Sequence, residues 1–485
     1  MRMIPRRGFL LHPQMSQEVP AMFDTSRRRL MGASLVGAGA LLSGLGFRAR
    51  AEALSGKGRI MLDGFADAPP GLAQAMGFPL IEAIHGRRSR RFAKGASIPD
   101  GPLAFTSRHA PAPISELEQM VLLTTVGGNT GWLNLFAFNR NYAPKIPNYQ
   151  GAAGGRTFPS SAGFHTSEIF FTDDNGAYFL PTRDMHPVGS PETTDLEAWL
   201  DAHKARIVKL SDKRLELPRE AAHMEMHNTW CANVPGSTLV SPVADVAQHM
   251  LLTLAYLVQN GACIYDDVNG RPIPGMDRFS DLVDVSAPYP LAFVEQFALT
   301  ETTVEIATSC YAGALMLQAL GLGGWMYDGL NAFSVLGASG DPEVPGLGFH
   351  SFMQDGNPLP IVTGLPGVFE GHCPPHFPDM RAAVEAVVAR KFGKGGPFNP
   401  ATPGPYKETG AVRGAAAPMD AHFVDCVVTM ADYVYQTFGR FPATVPPVFA
   451  LMYLQAHQLD TEFYDRHFAP GAYLRTHAEH DRNWV

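Results

Sequence analysis

One short stretch of the sequence carries most of the information about the fold: Ile84-His85-Gly86-Arg87-Arg88-Ser89-Arg90-Arg91-Phe92. It places four arginines and a hydroxyl within a few residues of a chain whose formal net charge is −8. Guanidinium groups stay charged at any working pH and offer a planar fork of donors, so the arginines around Ser89 are suited to holding a phosphate. A solvated basic turn is the alternative, because charged runs usually face water.

Upstream of that stretch, the N-terminus has the pattern of an export signal. Arg27, Arg28 and Arg29 precede an apolar run over residues 32–47, and small residues follow at 49–53 with the spacing of a cleavage site. This pattern is typical of a twin-arginine signal peptide over residues 1–53, with Met22 as an alternative start to Met1. The sequence therefore predicts export by the twin-arginine translocase, to the periplasm or as a secreted protein.

Composition and charge narrow the class of the mature protein. The 485 residues are 46% hydrophobic and 17% charged, which is ordinary for a globular chain. No stretch reaches the roughly 18 apolar residues of a bilayer span, so we expect no membrane span in the mature form. Residues 1–51 hold eight arginines against Glu18 and Asp24, a net of +6, so their removal changes the formal charge from −8 to −14. Nucleic acid is not an expected partner, because its phosphates attract positive charge.

The five cysteines are odd in number and far apart, and none forms a C-x-x-C pair. That spacing does not fit a zinc or redox motif, although one or two disulfides stay open in an oxidising compartment. The five are Cys231, Cys263, Cys310, Cys373 and Cys426.

Local signals predict several elements. A capping box, Ser115 with Glu118, indicates a helix over Ser115 to Val126, and Asn175-Gly176 indicates a hairpin turn between strands 167–172 and 177–180. Ser241-Pro242 predicts the start of a helix that closes at Asn260-Gly261. The remaining predictions are a short helix over 78–85, a strand over 359–363 ending at Gly364, and helices over 380–392 and 421–438.

The segment Thr302 to Leu320 gives the strongest helical signal. Thr302 and Glu305 have the spacing of a capping box, and Gly321 is a natural stop. Ser309 and Gly313 are among several small residues in its body that would let another helix approach closely. We predict a buried or interface helix, and dimerisation through this small-residue surface.

A histidine-rich segment, His223-Met224-Glu225-Met226-His227, offers a candidate metal site. On a strand, alternate residues share a face, so two imidazoles and a carboxylate would converge as in a two-His-one-carboxylate iron site. On a helix Glu225 would point away. Hydrogen-bonded structural histidines are therefore the alternative to a metal.

Three separated segments resemble the FMN-dependent nitroreductase superfamily, and in particular its SagB-type dehydrogenase branch. Residues 87–92 are similar to the R-R-S-x-R-x-F phosphate motif. Residues 156–163 with the following hairpin resemble the R-T-x-P-S-A-G loop, with one extra serine, so Ser160 and Ser161 are alternatives for the family's position. Residues 305–323 keep the spacing from the family's glutamate to its A-L-G-L-G, with Tyr311 where the family usually has Gln and Ala307 where it has Gly.

The resemblance implies an α+β fold, nitroreductase-like and FMN-binding, with a central mainly antiparallel sheet flanked by helices. It implies a homodimer with two FMN at the interface and ping-pong hydride transfer through the flavin N5, acting on an unidentified small-molecule or peptide-derived substrate. The resemblance also implies that Arg87, Ser89 and Arg91 hold the FMN phosphate and that the 159–163 loop lies against the isoalloxazine. The predicted cofactor-binding residues are Arg87, Arg88, Ser89, Arg91, Asn129, Pro159, Ser160, Ser161, Ala162, Gly163, Gly323 and Gly324.

The same resemblance divides the chain. Residues 54–184 and 291–370 are the two parts of the nitroreductase-like domain, 185–290 is a long insertion, and 371–485 is a C-terminal extension of unknown role. It names no catalytic residue, because in this family the flavin carries the reaction.

Several motifs that would indicate another class of enzyme are missing from the sequence. The sequence has no G-x-S-x-G, H-E-x-x-H or G-x-x-x-x-G-K, and no G-x-G-x-x-G opening a helix after a strand, which argues against a hydrolase and a nicotinamide Rossmann domain. Two alternatives stay open. One is a flavin-free exported binding protein on the same fold, and the other is a metal-dependent enzyme using His223, Glu225 and His227.

Overall fold

A computed structural model describes residues 68–134, 149–185 and 195–484. All of them belong to a unit that spans Gly58–Val485. The predicted signal peptide lies outside the described residues. Within them, no helix is both long and apolar enough to cross a membrane.

The strands of the described residues are mostly short. They are β1 (Ser97–Ile98), β2 (Phe105–Thr106), β3 (Asn129–Trp132), β4 (Gly154–Arg156), β5 (Ser167–Asp173), β6 (Gly176–Leu180), β7 (Val208–Ser211), β8 (Thr238–Asp245), β9 (Ile264–Asp266), β10 (Arg271–Pro272), β11 (Tyr289–Pro290), β12 (Gly323–Tyr327), β13 (His350–Phe352), β14 (Ile361–Leu365), β15 (Phe369–Glu370), β16 (Val448–Phe449) and β17 (Tyr453–His457).

The α-helices vary more in length, and one of them is 30 residues long. They are α1 (Pro70–Met76), α2 (Leu80–Gly86), α3 (Glu116–Gly127), α4 (Leu196–Lys204), α5 (Val246–Gln259), α6 (Leu291–Leu320), α7 (Ala332–Leu336), α8 (Met380–Phe392), α9 (Thr409–Gly414), α10 (Ala421–Phe438), α11 (Thr461–His467), α12 (Arg475–Ala478) and α13 (His480–Trp484).

A central antiparallel sheet organises the fold, which is α+β. Its strand order is β12-β17-β8-β5-β6-β7, and β16 pairs with the far end of β8. Every pairing in this sheet is antiparallel. The strands come from both predicted parts of the nitroreductase-like domain and also from the other two predicted segments. The strand β8 belongs to the predicted insertion, and β16 and β17 belong to the predicted C-terminal extension. Those two segments therefore build the centre of the sheet.

The two faces of the sheet bury different partners. Ile169 and Phe171 of β5 and Val240 of β8 belong to a core shared with α3 and α6. Alternate side chains point to the other face, where Phe170 and Val243 pack with α7 and the small sheet of β13, β14 and β15. A third core is mainly helical and joins α5, α8, α10 and the first part of α6.

Several local predictions are confirmed. The helix α3 has its capping box, in which the Ser115 hydroxyl accepts from the Glu118 N–H at 3.3 Å and the Glu118 carboxylate accepts from the Ser115 N–H at 2.8 Å. The helices α8 and α10 have the predicted bounds. The hairpin is present, but its two-residue turn is Asp174-Asn175, because Asp173 pairs with Gly176 and accepts from the Asn175 N–H at 2.8 Å.

The predicted start of helix α5 is wrong. Ser241 and Pro242 lie in β8, and the helix begins at Val246 with Asp245 as its N-cap, accepting from the Gln248 N–H at 2.8 Å. Proline is usually excluded from central strands because it lacks an N–H. Along one edge of β8, the pairing with β17 ends at Val240 and the pairing with β16 begins at Ala244. Pro242 lies between them, where this edge of the strand has no partner. The predicted strand end at Gly364 is also wrong, since β14 continues to Leu365.

The helix α6 starts at Leu291, well before the predicted Thr302. Thr302 is not an N-cap: its hydroxyl donates to the carbonyls of Ala298 and Leu299 at 3.1 and 2.9 Å inside the helix. The stop at Gly321 is confirmed, with a φ of 75° in the left-handed region that favours glycine.

The small residues of α6 pack inside the chain. The Ser309 hydroxyl donates to the Val126 carbonyl at 2.7 Å, and a Cβ at Gly313 would lie 2.3 Å from Leu454 Cδ2 and 2.5 Å from Val126 Cγ2. Ser309 and Gly313 are therefore covered within the chain, and dimerisation through this helix stays a prediction. These positions are small because α3 and β17 approach α6 closely.

All five cysteines are buried and free. The disulfides that the cysteine count left open are not formed.

Three buried histidines predict a loss of stability in mild acid. Burial lowers the pKa of His165 and His477 to about 3 and that of His457 to about 4. In the unfolded chain the ordinary pKa is about 6.5, so the unfolded state binds more protons between pH 6.5 and 4 and stability falls as pH falls. Each histidine should lower the free energy of unfolding by about 1.4 kcal/mol per pH unit in that window.

Urea denaturation at several pH values measures this effect. His477→Asn should reduce the slope of the unfolding free energy against pH, because it removes one of the buried groups with a lowered pKa. An unaltered slope in His477→Asn would show that its burial is not linked to protonation.

Candidate functional site

The arginine stretch is fixed to one edge of the central sheet. After α2 ends, the Arg90 N–H donates to the Gly324 carbonyl at 3.2 Å, and the Gly324 N–H donates to the Arg90 carbonyl at 2.8 Å. Gly324 has a φ of 144°, and a Cβ there would lie 2.0 Å from the Gln455 carbonyl oxygen. Only glycine lets three stretches of backbone approach this closely.

Arg90 is the structural arginine of the stretch. It is buried, and it donates to the Gln318 side-chain carbonyl at 2.7 Å, the Ala472 carbonyl at 3.0 Å and the Gly86 carbonyl at 3.1 Å. Burial lowers its pKa to about 10, so it stays charged at neutral pH. These contacts join α2, α6 and the C-terminal segment.

The other arginines of the stretch differ in how many hydrogen bonds their side chains already make within the chain. Arg88 is exposed and donates to the carbonyls of His85 and Arg87 at 2.9 and 2.8 Å, which closes the end of α2. Arg91 lies over the Trp325 ring at 5.1 Å and makes one long hydrogen bond, 3.4 Å, to the Asn228 side chain.

Arg87 is half-buried and Ser89 is exposed. Within the described parts of the chain, the Arg87 side chain makes no hydrogen bond or ion pair. Arg87, Ser89 and Arg91 can therefore still bind an anion.

The second predicted group is the loop after β4. Arg156 does not point to a ligand: it is buried and donates to the carbonyls of Gly155, at 3.0 Å, and Thr182. In the loop, Ala162 and His165 have φ values of 47° and 49°, and Gly163 has 69°. Left-handed backbone at non-glycine residues costs energy and persists only where the surroundings enforce it.

Two carboxylates of α6 enforce that conformation. Glu305 accepts from the Ser160 hydroxyl at 2.7 Å and from the Ser167 N–H and hydroxyl at 2.7 and 2.6 Å. Glu301, one turn earlier, accepts from the Ser161 hydroxyl and lies 2.7 Å from His249 Nε2. The extra serine of this sequence thus has its own partner.

Glu301 and His249 were missed by the sequence reasoning. The one available signal was a pair of glutamates at i and i+4 in a helix with few charges, which places both on the same face. His249 lies on α5, and no local pattern links it to the loop.

Asn129 and Gly323 have packing roles. The Asn129 side chain is buried, accepts from the Gly131 N–H at 3.0 Å and donates to the Met185 carbonyl at 3.0 Å. A Cβ at Gly323 would lie 2.6 Å from His457 Nε2. Both groups of the Asn129 amide are thus already used within the chain.

The predicted site residues fall into two groups rather than one. The arginine stretch contacts α6 at Gln318, and the serine loop contacts it at Glu305. At a rise of 1.5 Å per residue, these contact points are about 20 Å apart along the helix.

The histidine-rich segment does not form the strand that a metal site required. His223 is buried and lies 2.9 Å from the Ser334 hydroxyl, while Glu225 and His227 are exposed and a 3-10 turn covers Met226–Asn228. Across residues 68–134, 149–185 and 195–484, no group of three or more His, Cys, Asp or Glu side chains could hold a metal ion. The convergence predicted from alternate strand positions is wrong.

Comparison with known proteins adds little. No family model and no curated protein matches the sequence. Among solved structures, a protein from Ralstonia eutropha JMP134, provisionally described as a nitroreductase, is similar at 15% sequence identity and a TM-score of 0.25, over 53% of this chain and 72% of that one. At that TM-score the likeness carries no argument about this chain.

Proposed function

We propose that this chain is an exported FMN-dependent oxidoreductase of the nitroreductase-like kind, acting on a small-molecule or peptide-derived substrate. The observation that carries the proposal is the arginine stretch itself. Arg90 anchors it to the sheet edge, while Arg87, Ser89 and Arg91 on either side keep donors for a phosphate. A fixed backbone with free guanidinium groups is the arrangement that a dianionic phosphate needs.

The residues of the serine loop fit the flavin ring. Ala162 and Gly163 are small, and the enforced left-handed backbone turns the loop without bulky side chains. FMN bound there would supply a hydride acceptor and donor at its N5, through which a ping-pong reaction passes. The chain's own part is to hold the ring: Glu305 fixes Ser160, and Glu301 fixes Ser161.

A homodimer would complete this site. The two groups meet α6 about 20 Å apart, which favours a site that takes its arginines from one copy and its serine loop from the other. The faces available for pairing are apolar: Leu80 and Ile81 of α2 are 66% and 69% exposed, and Val304 of α6 is 53% exposed. Exposed apolar surface next to a site is typical of an interface. Light scattering that finds the mass of a single chain would contradict the dimer.

Export is the remaining part of the proposal. It is supported by Arg27-Arg28 ahead of the apolar run. Recovery of the full-length chain from the cytoplasm alone, with none cleaved or exported, would refute it.

Flavin content tests the phosphate site. Arg87→Ala and Arg91→Ala should each weaken FMN binding about ten- to hundred-fold, the typical effect of losing one charge-assisted contact. The stability of both variants should stay near that of the native protein, because neither side chain holds the fold together as Arg90 does. The measurement is the visible absorbance of flavin retained after gel filtration.

Arg108→Ala is the matched control, since that side chain is 79% exposed and lies outside the stretch. Arg90→Ala is not a neutral control, despite occupying the variable position of the motif, because it leaves three carbonyl groups without their donors. Flavin retention equal to that of Arg108→Ala in both test variants would place the phosphate elsewhere.

A further inference from the structure

A second group of cations surrounds a cavity that borders the C-terminal extension. The cavity has a volume of about 370 Å³, and the charged side chains lining it are Arg183, Asp184, Arg390 and Lys394. Three cations thus face one carboxylate. The rest of the described lining is backbone and apolar, including Trp132 and Met185.

Two of the cations are incompletely neutralised. Arg390 donates from Nε and Nη2 to the same Asp184 oxygen, at 3.0 and 2.8 Å, and its buried Nη1 has no partner. Lys394 is exposed and makes no ion pair with the described residues. Arg183 differs, because its Nη1 donates to the Gln248 side-chain carbonyl at 2.8 Å and lies 3.3 Å from the Asp245 carboxylate.

Further cations lie behind the cavity wall, together with the buried carboxylates of Glu168 and Asp245, which pair with Arg183. Lys391 follows Arg390 and is buried, and burial together with Arg390 lowers the pKa of its amine to about 7. Arg156 is buried as well and donates to carbonyl groups rather than to a carboxylate. Because Glu168 and Asp245 offset part of the charge behind the wall, the attraction for an anion comes chiefly from Arg390 and Lys394, the lining cations that are incompletely neutralised.

We propose that this cavity binds a small molecule through a carboxylate group held by Arg390 and Lys394, with the apolar body of the molecule against Trp132 and Met185. The volume lies within the usual range for ligand pockets, roughly 300–1,000 Å³. An apolar wall with a few convergent polar groups is the usual composition of such pockets. The proposal gives the C-terminal extension a role, since Arg390 and Lys394 both belong to it.

The position of the cavity suggests a link with the serine loop. Gly151 lines the cavity, and its N–H donates to the Gly163 carbonyl at 3.1 Å. A molecule in the cavity would therefore lie beside the loop that is proposed to hold the flavin ring. The binding itself does not require flavin, so its test is independent of the proposed function.

Isothermal titration calorimetry with three probes tests the proposal on the native chain. Benzoate has the carboxylate and an apolar body, benzamide has the same shape without the charge, and inorganic phosphate has the charge without the body. We expect benzoate to bind at least about ten-fold more tightly than either of the others. Equal binding of benzoate and benzamide, binding of phosphate as tight as that of benzoate, or no binding at all would overturn the proposal.

Two variants with opposite expected effects locate the site. Lys394→Ala changes an exposed side chain and should weaken benzoate binding about ten-fold. Asp184→Asn removes the one carboxylate among the charged lining residues and should strengthen benzoate binding several-fold. Lys407→Ala, also exposed but outside the lining, is the control and should change nothing. Unchanged affinity in Lys394→Ala, or weaker binding in Asp184→Asn, would refute the assignment.

Discussion

Glu305→Ala is expected to unfold the serine loop and to lower the free energy of unfolding by about 4 kcal/mol or more. The carboxylate is buried and accepts from three donors, the Ser160 hydroxyl and the Ser167 N–H and hydroxyl. Each buried donor left unpaired costs about 1–3 kcal/mol. Without Glu305, only the contact of Glu301 with Ser161 still holds the left-handed backbone at Ala162 and His165, so FMN affinity should fall as well.

Glu295 supplies the matched control. It is a second buried carboxylate on α6 and also accepts from three donors, the Ala443 N–H and the Thr444 N–H and hydroxyl. Glu295→Ala should cost a similar amount of stability but leave FMN affinity unchanged, because it does not contact the serine loop. Urea denaturation and FMN titration together separate the two effects. Equal FMN affinity in the two variants would mean that Glu305 has no part in the flavin site.

Gly313→Leu should destabilise the protein by about 3 kcal/mol or more, at the upper end of overpacking effects. Its first side-chain atom would already lie 2.3 Å from Leu454 and 2.5 Å from Val126, so β17 or α3 must move. Ala312→Leu, at the preceding and partly exposed position, should change stability by no more than about 0.5 kcal/mol. Thermal or urea denaturation of both variants checks this, and near-native stability of Gly313→Leu would show that the two elements can separate at little cost.

Elements with strong local signals could be predicted from the sequence. The helix α3 has both members of a capping box, and α8 and α10 begin after Asp379 and Asp420, whose side chains accept from the third residue of each helix. The β5–β6 hairpin was found from its β-rich flanks, and its turn was misplaced by one position because Asp173 closes it.

Elements whose stability comes from distant partners could not be predicted. The strand β8 contains Pro242, which reads as a helix start until the gap between its two partner strands is known. The start of α6 was missed because Thr302 and Glu305 have the spacing of a capping box. In the structure, Thr302 donates to carbonyls within the helix, and Glu305 accepts hydrogen bonds from the serine loop.

Some properties of the candidate site could likewise be predicted from the sequence, and others depend on distant partners. The anion-binding character of the arginine stretch follows from residue type, but the four arginines are chemically identical in sequence. Burial alone makes Arg90 structural and leaves Arg87 free, and burial depends on Gln318 and Ala472, hundreds of residues away. The roles of Glu301 and His249 likewise exist only once α5 and α6 pack beside the loop.

The central claim is that this chain binds FMN, and flavin stoichiometry tests it most directly. The purified native protein, incubated with FMN and freed of excess by gel filtration, should retain about one flavin per chain. Its visible absorption should disappear on reduction and return on reoxidation. A folded native protein that retains no flavin, even after incubation at high FMN concentration, would contradict the claim.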